Sequence, residues 1–573
     1  MVIGMLFETL GIGLVIPALA LMAQADVGAK YPWLAPWIVR MGNPSHATLV
    51  AGGMAGLVAV YVTKAAFLAV LAWYQAHFVY QLQAHLSRAL FGGYLRQPYA
   101  FHLQRNSAEL IRNAIGQVAD VTTVAQQALL LLTELLVLLG ILALLLYVEP
   151  FGALAVGAAL AGAAWGFHRL SGNYLVRWGA ERQHHEAKRI QHIQQGLGGI
   201  KEVQLLGRTE DFLCEYDAHN LGSARVGQRQ TTLQALPRLW LELLAIVGLA
   251  ALVFILLGQN KPVESILPTL GVFAAAAFRI IPSVNRMLIA AQNFRFSLPA
   301  IENLDGELRA LPEIPGRADT DADALAFRKT IRLEGLSYTY PAAERSALCG
   351  ISLEISRGTS VGIIGGSGAG KSTLVDVLLG LLAPGSGTVT VDGKPIHLNL
   401  RMWQDQIGYV PQSVFLTDDS LRRNVAFGLA ASHIDDERVW SALRAAQLED
   451  FARGLPSGLD TSVGERGVNL SGGQRQRIGI ARALYHDPAI LVLDEATSSL
   501  DVATEAKIMD AVRALRDKTV IIVAHRLATV EQCDWLFHIE QGAVVDAGPA
   551  AIVLGVRMAS AQSATRESRQ DNP

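Results

Sequence analysis

The stretch that decides the fold runs from Gly365 to Ser372 and reads Gly-Gly-Ser-Gly-Ala-Gly-Lys-Ser. Glycines in such a loop let backbone N–H groups close around phosphates, while Lys371 supplies charge and Ser372 a magnesium ligand. An apolar run at 360–364 precedes the loop, and a helical pattern at 373–382 follows it. The order of strand, loop and helix predicts a nucleotide-binding α/β domain. The expected phosphate-binding residues are Gly365, Gly366, Ser367, Gly368, Ala369, Gly370, Lys371, Ser372 and Thr373.

A second motif supplies the acidic groups of the same site. The apolar run 490–493 predicts a buried strand, and Asp494 and Glu495 follow it directly. Carboxylates in this position hold magnesium and polarise the attacking water in phosphoryl transfer. We predict that Asp494 and Ser372 ligate Mg²⁺ and that Glu495 is the catalytic base. ATP and Mg²⁺ are the expected cofactors.

Four further residues have the chemistry to complete an ATP site. Tyr340 offers an aromatic face for adenine, and Gln412 is a third predicted magnesium ligand. His525 closes the apolar run 520–524 and can contact the γ-phosphate. We expect Gln412 and His525 to act in catalysis and Asp501 to belong to the nucleotide site.

The order of these motifs, together with Leu470-Ser471-Gly472-Gly473-Gln474, resembles the ATP-binding cassette family over about residues 331–556. The resemblance implies that Ser471, Gly472, Gly473 and Gln474 cap the ATP of a second cassette, since a helix N-terminus after a glycine turn favours anions. One chain carries one cassette, so two chains are implied. Because the expected catalytic residues are all present, we expect a homodimer with two competent sites.

Composition predicts a membrane part. Apolar residues make up 51% and charged residues 17% of the 573 residues, and the mean hydropathy is +0.31. These values are too apolar for a purely soluble chain. The net charge of −2 gives no indication of nucleic-acid binding, and no nucleic-acid partner is expected. The three cysteines, Cys214, Cys349 and Cys533, lack metal-like spacing.

Six apolar runs that are long enough to cross a bilayer precede the cassette, at 2–22, 49–71, 124–147, 151–170, 239–257 and 266–289. The segments after the second and fourth runs are long, helical in pattern and rich in arginine and lysine. The loops of the opposite side hold only Lys30, Arg40 and Lys261. The positive-inside rule therefore predicts a multi-pass protein of the bacterial cytoplasmic (inner) membrane with its cassette in the cytoplasm.

Six spans and one C-terminal cassette resemble a half-transporter of the exporter type. The predicted fold is an all-α membrane domain of six transmembrane helices extended into the cytoplasm, followed by an α/β phosphate-loop ATP-binding cassette. Expected bounds are 1–310 for the membrane domain, 311–328 for a linker, 329–556 for the cassette and 557–573 for a disordered tail. The resemblance also implies two intracellular bends that dock into the cassettes, near 98–104 and 207–212.

The start of the chain departs from this pattern, because exporters usually begin with a basic cytoplasmic helix and this chain enters the membrane at residue 2. We therefore expect the true start to lie upstream. A secretory signal peptide is the alternative, but the segment lacks a basic leading region and contains Glu8.

Four cations in or just below the spans are candidate substrate contacts: Lys64, Arg238, Arg279 and Arg286. A charge in lipid costs several kcal/mol unless it faces a cavity or a partner. Arg279 and Arg286 share a helix face, and such a cluster suits a phosphate or pyrophosphate headgroup. The alternatives are that Arg238 pairs with Glu242 and that the arginines snorkel to the inner leaflet.

Two glutamates, Glu8 and Glu134, also lie deep in apolar runs, where hydrogen bonds between helices are favoured over substrate contact. Residues 7–9, 236–242 and 278–286 resemble the lipid-linked oligosaccharide flippases of bacterial protein N-glycosylation. In that family a short external amphipathic helix engages the polyprenyl tail. Residues 30–41, with Trp33 and Trp37, would correspond to it, or else anchor a loop at the interface.

These resemblances predict a homodimeric ATP-driven transporter that exports or flips an amphipathic lipid across the cytoplasmic membrane. The expected substrate is a polyprenyl-pyrophosphate-linked oligosaccharide. A multidrug, peptide or lipid A exporter would use the same architecture. A regulatory membrane ATPase is a further alternative, whereas cassette proteins of DNA repair lack membrane spans and are excluded.

Overall fold

The computed structural model describes residues 1–23, 45–148, 150–258, 263–311, 325–341, 343–497, 501–515, 517–524 and 526–555. The chain divides into two compact units. The first contains Met1–Gln97 and Arg105–Glu313, and the second contains Pro98–Gln104 and Ile314–Pro573.

Helices build the N-terminal half of the chain. In chain order they are α1 (Val2–Ala23), α2 (His46–Arg96), α3 (Tyr99–Gln104), α4 (Ser107–Arg112), α5 (Val118–Val148), α6 (Pro150–Gly198), α7 (Ile200–Leu205), α8 (Thr209–Gly258), α9 (Val263–Phe296) and α10 (Leu298–Ala310). Runs rich in leucine and alanine favour helix, and each of the six predicted spans lies within one of the long helices.

Two helical stretches of the described residues, His46–Arg96 and Ser107–Leu144, are long and apolar enough to cross a membrane. A shorter apolar stretch occupies Val2–Gly11. The number of six spans therefore stays a prediction. Trp33 and Trp37, in the predicted external helix, lie outside the described residues.

Two long helices of the first unit, α6 and α8, extend far beyond the thickness of a bilayer. Helix α6 has 49 residues and α8 has 50. At about 1.5 Å per residue each is roughly 75 Å long, more than twice the hydrocarbon thickness of a membrane. The two helices pack against each other, and α9 packs against α5, α6 and α8. A small apolar cluster where α5, α8 and α9 meet includes Ile141, Leu241 and Val284.

Two sheets form the centre of the second unit. Their strands are β1 (Thr330–Tyr338), β2 (Leu348–Ser356), β3 (Ser360–Ile364), β4 (Ser386–Val391), β5 (Lys394–Pro395), β6 (Ile407–Val410), β7 (Ile490–Asp494), β8 (Thr519–Val523), β9 (Trp535–Glu540) and β10 (Ala543–Gly548). The first sheet is antiparallel with the order β2-β1-β4-β5. The second has the order β10-β9-β3-β8-β7-β6, and only β10 runs antiparallel to its neighbour.

Continuous apolar runs explain the parallel sheet. Every residue of β7 and β8 is buried, as expected for strands covered on both faces. The helices of this unit are α11 (Lys371–Leu378), α12 (Leu400–Gln404), α13 (Leu421–Val425), α14 (Asp436–Ala445), α15 (Glu449–Arg453), α16 (Gly472–Leu484), α17 (Val502–Arg513) and α18 (Leu527–Val530). The carboxyl ends of β3, β8 and β7 meet at one edge, which is where ligands bind in such sheets.

The chain turns at both predicted intracellular bends. Helix α3 groups with the second unit, where Ala100 packs against the apolar cluster that contains Leu333 and Ile363. The other bend follows α7, where Gly207 has a φ of +64° and α8 begins two residues later. Docking of these bends into the cassettes of a dimer stays a prediction.

Candidate functional site

The loop between β3 and α11 has the backbone conformation of a phosphate cradle. Gly368 and Gly370 have φ angles of +75° and +102°, which disfavour residues with a side chain. A Cβ atom at Gly370 would also lie 2.6 Å from the carbonyl oxygen of Ala347. The loop leads directly into the N-terminus of α11, whose N–H groups and dipole attract anions.

Lys371 closes this loop from its helical side. The side chain is buried, and its Nζ donates hydrogen bonds to the carbonyl oxygens of Gly365 at 3.1 Å and Gly366 at 3.0 Å. Neutral carbonyl oxygens leave the ammonium charge available to a phosphate. Ser372 is exposed beside it, whereas Thr373 is buried, and its hydroxyl lies 3.1 Å from that of Tyr340.

Tyr340 is partly exposed at the edge of the same site. Its ring lies edge-on to Tyr338, with the ring centroids 5.0 Å apart. The bond to Thr373 therefore joins an aromatic ring to the helix that follows the phosphate loop. This arrangement suits the predicted stacking of adenine, which remains a proposal.

Acidic side chains collect around the carboxyl end of β7. Burial, followed by the charge of Glu495, raises the pKa of Asp494, while Lys371 and a hydrogen bond from the Tyr409 hydroxyl lower it. Burial and the nearby Asp494 raise the pKa of Asp376, on α11, to about 6. The site thus gathers three carboxyl groups around one lysine, an excess of negative charge that a divalent cation would relieve.

The residues present fit Mg²⁺. The Oδ1 atom of Asp494 is buried and has no hydrogen-bond partner among the described residues. Together with the Ser372 hydroxyl and the Gln412 amide oxygen, it offers the hard oxygen ligands that magnesium prefers.

Glu495 is held by its neighbour in an unusual conformation. The Nε2 atom of Gln412 donates a hydrogen bond of 2.8 Å to Oε2 of Glu495. Glu495 has a φ of +50°, in the left-handed region that residues with side chains seldom adopt, and such strain often occurs at functional sites. The structure therefore brings Gln412 to the Asp494-Glu495 pair, although Gln412 and Glu495 are 83 residues apart in the sequence.

The segment 471–474 begins helix α16 with a reciprocal cap. The backbone N–H of Ser471 donates to Oε1 of Gln474 at 2.7 Å, and the N–H of Gln474 donates to Oγ of Ser471 at 3.2 Å. Ser471 is exposed, with Gly472 and Gly473 in the first turn. An exposed, capped helix N-terminus is suited to an anion from outside the chain.

Of two further predicted site residues, the structure describes Asp501 but not His525. Asp501 caps α17 by accepting a hydrogen bond from the N–H of Thr504 at 2.9 Å, and hydrogen bonding to the Thr504 side chain, followed by that to its N–H, lowers the pKa of Asp501. His525 lies outside the described residues.

Glu505 is a site residue that the motifs did not indicate. Its side chain accepts hydrogen bonds of 2.8 Å from the hydroxyls of Thr497 and Thr529, and Arg526 lies 3.4 Å from it. Through these hydrogen bonds Glu505 connects the segment that follows Asp494 and Glu495 to the segment that follows β8. The available signal for Glu505 was its position one turn after Asp501. The helix at this position faces two threonines, each of which follows the end of a strand.

Two of the four cations predicted to contact substrate, Lys64 and Arg286, form ion pairs between helices of the membrane unit. Nζ of Lys64 lies 2.8 Å from Glu8, and Nε of Arg286 lies 2.6 Å from Glu134. Both glutamates are buried, which agrees with the predicted bonds between helices for Glu8 and Glu134.

The other two predicted cations are Arg238 and Arg279. Arg238 lies 2.8 Å from Glu242 on an exposed surface, which is the alternative that its spacing predicted. Arg279 belongs to α9, but its side chain lies outside the described part of the chain.

Comparisons with known proteins agree with both units. Residues 348–498 match the family model described as ABC transporter, and residues 33–260 match the model described as ABC transporter transmembrane region. An ATP-dependent lipid A-core flippase of Nitrosococcus oceani is 30% identical over 475 residues, covering 81% of this chain and 77% of that protein. The chain belongs to the ABC transporter family.

Further relatives have the same description. ATP-dependent lipid A-core flippases of Ralstonia nicotianae and Bordetella avium are 32% and 30% identical, covering 81% and 76% of this chain and 78% and 72% of theirs. The solved structure of a bacterial Atm1-family ABC exporter with ATP bound is similar in fold, with a TM-score of 0.78, 23% identity and 98% of each chain covered. The resemblance to an exporter half-transporter is confirmed, as are ATP hydrolysis coupled to transport and a multi-pass location in the bacterial inner membrane.

Proposed function

We propose that two copies of this ABC exporter form a homodimer that uses ATP to move a phosphorylated amphipathic lipid from the cytoplasmic leaflet to the outer leaflet. The observation that carries the lipid class is the shared description of the relatives as ATP-dependent lipid A-core flippases. Within this class, a lipid A-core glycolipid is the first candidate. A polyprenyl-pyrophosphate-linked oligosaccharide also combines phosphate, sugars and an apolar tail, and it is the second candidate.

Apolar cavities in the membrane unit support a lipid substrate. One of about 600 Å³ lies among α5, α6 and α9, with Leu138, Trp165 and Met287 in its lining. Another of about 550 Å³ lies between α6 and α8 and includes Trp178 and Trp240. Cavities of this size and apolar character can take up hydrocarbon chains but give a soluble peptide few polar contacts.

The ion pairs of Lys64 and Arg286 modify the predicted headgroup site. Each cation already has a carboxylate partner, so a phosphate gains less there than it would from an unpaired cation. We propose that a headgroup phosphate binds Arg286 in competition with Glu134, one of whose oxygens is buried without a hydrogen bond to any described residue. Lys64, Arg238 and Arg279 are weaker candidates for the same contact.

The geometry of the cassette supports the following roles in ATP hydrolysis. Tyr340 stacks on adenine, the loop N–H groups bind the phosphates, and Lys371 exchanges the carbonyl oxygens of Gly365 and Gly366 for phosphate oxygens. Glu495 orients the attacking water and receives its proton, and Gln412 holds that carboxylate in place beforehand. Mg²⁺, held by Ser372, Gln412 and Asp494, would neutralise phosphate charge.

The second chain completes the site. Ser471, Gly472, Gly473 and Gln474 of one chain contact the γ-phosphate bound by the other, with Asp501 and His525 lining the same interface. ATP binding therefore draws two cassettes together, and hydrolysis separates them. Helix α3, which packs within the cassette unit, transmits this motion to α2 and α4, the helices next to it in sequence.

Substrate-stimulated ATP hydrolysis in lipid nanodiscs tests the proposed class. We expect a lipid A-core glycolipid to raise the turnover rate severalfold and to compete with a polyprenyl-pyrophosphate oligosaccharide. A cationic drug and an unphosphorylated glycolipid serve as comparisons. Stimulation by the drug alone would favour a multidrug exporter, and a rate that no lipid changes would favour a regulatory ATPase.

A further inference from the structure

A polar cavity of about 490 Å³ lies in the first unit among α4, α6 and α10, away from the apolar cavities of the spans. Its lining includes Asn106, Glu109, Arg112, Gln183, Lys188 and Asn303. These residues belong to the arginine-rich and lysine-rich segments that the sequence assigns to the cytoplasm, or to α10. The cavity has the volume of a small-molecule site, and amide and charged groups replace the usual apolar lining.

Arg112 is the most informative residue of this lining. Its side chain is 9% exposed, and it donates hydrogen bonds to the Gln183 carbonyl oxygen at 3.1 Å and to Oδ1 of Asn113 at 3.0 Å. Its Nε is buried without a hydrogen-bond partner among the described residues. Both acceptors are neutral, and Asp120 lies within electrostatic range but forms no ion pair with it at 4 Å or less. A guanidinium stays charged at any physiological pH, so this site holds a buried, incompletely satisfied cation.

The backbone next to Arg112 is irregular. A π-helical turn covers Asn113–Gln117 and joins α4 to α5. The side chain of Gln117 is also buried, and neither polar atom of its amide has a hydrogen-bond partner within the described part of the chain. Single π turns inside helices are uncommon and are frequent at functional sites.

The remaining lining groups favour an anion. Lys188 donates only to the neutral Oε1 of Gln191, at 3.1 Å, among the contacts of the described residues. Glu109, the acid of the lining, is already 3.3 Å from Arg105. Two amide oxygens are occupied as well, because Oε1 of Gln183 accepts from Asn303 and Oδ1 of Asn106 accepts from the N–H of Ala108. Donors and positive charge are therefore in excess.

We propose that this cavity binds a phosphorylated polar molecule of about the size of a sugar phosphate, with the phosphate between Arg112 and Lys188. Arginine and lysine together provide the charge-assisted hydrogen bonds that phosphate requires. The phosphate comes either from a soluble metabolite or from the headgroup of a lipid at the inner leaflet. The site is separate from the nucleotide site and does not depend on which lipid is transported.

Its position gives the ligand a means of changing ATP turnover. Helix α4 begins three residues after α3 ends, and α10 is the last helix before the cassette strands in the part of the chain that the structure describes. A ligand that bridges α4, α6 and α10 would restrain both connections at once. Occupancy is expected to lower the rate of ATP hydrolysis.

The test is binding of glucose 6-phosphate to the full-length protein in nanodiscs, measured by calorimetry in a Lys371→Ala background that removes phosphate binding by the cassette. We expect saturable binding that Lys188→Gln weakens by about 10-fold and Arg112→Gln abolishes. Lys201→Gln, at an exposed position outside the cavity, is the matched control and should bind normally. Lys188 is partly exposed, so its variant keeps the test valid if the Arg112 variant does not fold.

Short-chain phosphatidic acid is the second probe and distinguishes the two sources of phosphate. Competition by the lipid at lower concentration than by the sugar phosphate would support the site and assign it to a headgroup. The reverse order would support the site and assign it to a metabolite. Absence of binding by both probes, or binding that Lys188→Gln leaves unchanged, would overturn the proposal, and so would a cavity filled by the second chain of the dimer.

Discussion

Charged residues of the cassette and of the membrane unit have opposite surroundings. Within the described part of the cassette, the hydrogen bonds of Lys371 go to two neutral carbonyl oxygens, and Asp494 keeps a buried oxygen without a hydrogen-bond partner. In the membrane unit, Lys64 and Arg286 each form an ion pair with a glutamate on another helix. The groups of the nucleotide site therefore have capacity left for a ligand, whereas a ligand of Lys64 or Arg286 must compete with a glutamate. This contrast distinguishes a site that is open to its ligand from one in which the ligand must displace an internal partner.

The largest expected effect comes from Glu495, on the cassette side of the comparison. Glu495→Gln removes the group that receives the proton from water but retains its size and its neighbour Gln412. ATP turnover should fall by about 10²–10³-fold while ATP binding remains, because general-base catalysis contributes effects of this order.

Steady-state hydrolysis and nucleotide binding in nanodiscs check this expectation. Glu437→Gln, at an exposed position in the same unit, is the control and should hydrolyse ATP normally. A normal rate in the Glu495 variant would mean that another residue positions the water.

On the membrane side, the pair Glu134 and Arg286 should respond as a structural unit. Glu134→Leu alone leaves a cation without its partner and should cost about 2–4 kcal/mol of stability, toward the low end because the Arg286 side chain is 38% exposed. Adding Arg286→Met should recover most of that loss. Thermal unfolding of the single and double variants measures both changes.

An exposed ion pair provides the reference for the stability changes of the Glu134 and Arg286 variants. Arg208 and Asp211 are 3.1 Å apart with both side chains 65% exposed, so Asp211→Ala should cost less than about 0.5 kcal/mol. If Glu134→Leu were equally harmless, the ion pair between Glu134 and Arg286 would not stabilise the packing of α5 against α9.

These two regions also differ in how much the sequence could predict. The phosphate loop and the Asp494-Glu495 pair combine fixed spacing with a strand that requires burial, so their sequence gives both fold and chemistry. The substrate residues were chosen from isolated charges in apolar runs, and a single sequence does not specify which helices become neighbours. Glu8 and Lys64 are 56 residues apart, and only the packing of α1 on α2 brings them together.

The roles of Glu505 and Arg112 could not be predicted from the sequence for the same reason. The partners of Glu505 follow two different strands, and the burial of Arg112 depends on the carbonyl oxygen of Gln183, which lies 71 residues away. In the sequence, Arg112 is one of several arginines between the second and third apolar runs, and nothing in the pattern distinguishes it from the others. Contacts between distant elements determined both roles.

A smaller effect is expected from Glu505→Ala, which should lower ATP turnover by about 10-fold by loosening Thr497 and Thr529 around the site. ATP affinity should change little, since Glu505 contacts neither the phosphate loop nor Tyr340 in the described structure. Separate measurements of kcat and KM test this. Asp510→Ala, on the exposed face of the same helix, is the control, and equal losses in both variants would show a general effect on α17.

The smallest expected effect concerns the cysteines, which test the packing of the cassette independently of catalysis. Burial raises the pKa of the Cys533 thiol to about 12, so at pH 8 it is almost entirely protonated as well as shielded. Cys214 and Cys349 are exposed. Iodoacetamide followed by mass spectrometry should modify the two exposed thiols and reach Cys533 only after unfolding; rapid labelling of Cys533 in the native protein would contradict the observed core.

The most direct test of an ATP-driven lipid flippase is the movement of a fluorescent lipid A-core glycolipid in proteoliposomes, measured with ATP hydrolysis in the same vesicles. We expect the lipid to reach the opposite leaflet only with ATP and only with an intact Glu495. Brisk hydrolysis without movement of this lipid or of a polyprenyl-pyrophosphate oligosaccharide would contradict the proposed substrate class. Movement that continues in the Glu495→Gln protein would contradict the coupling of transport to hydrolysis.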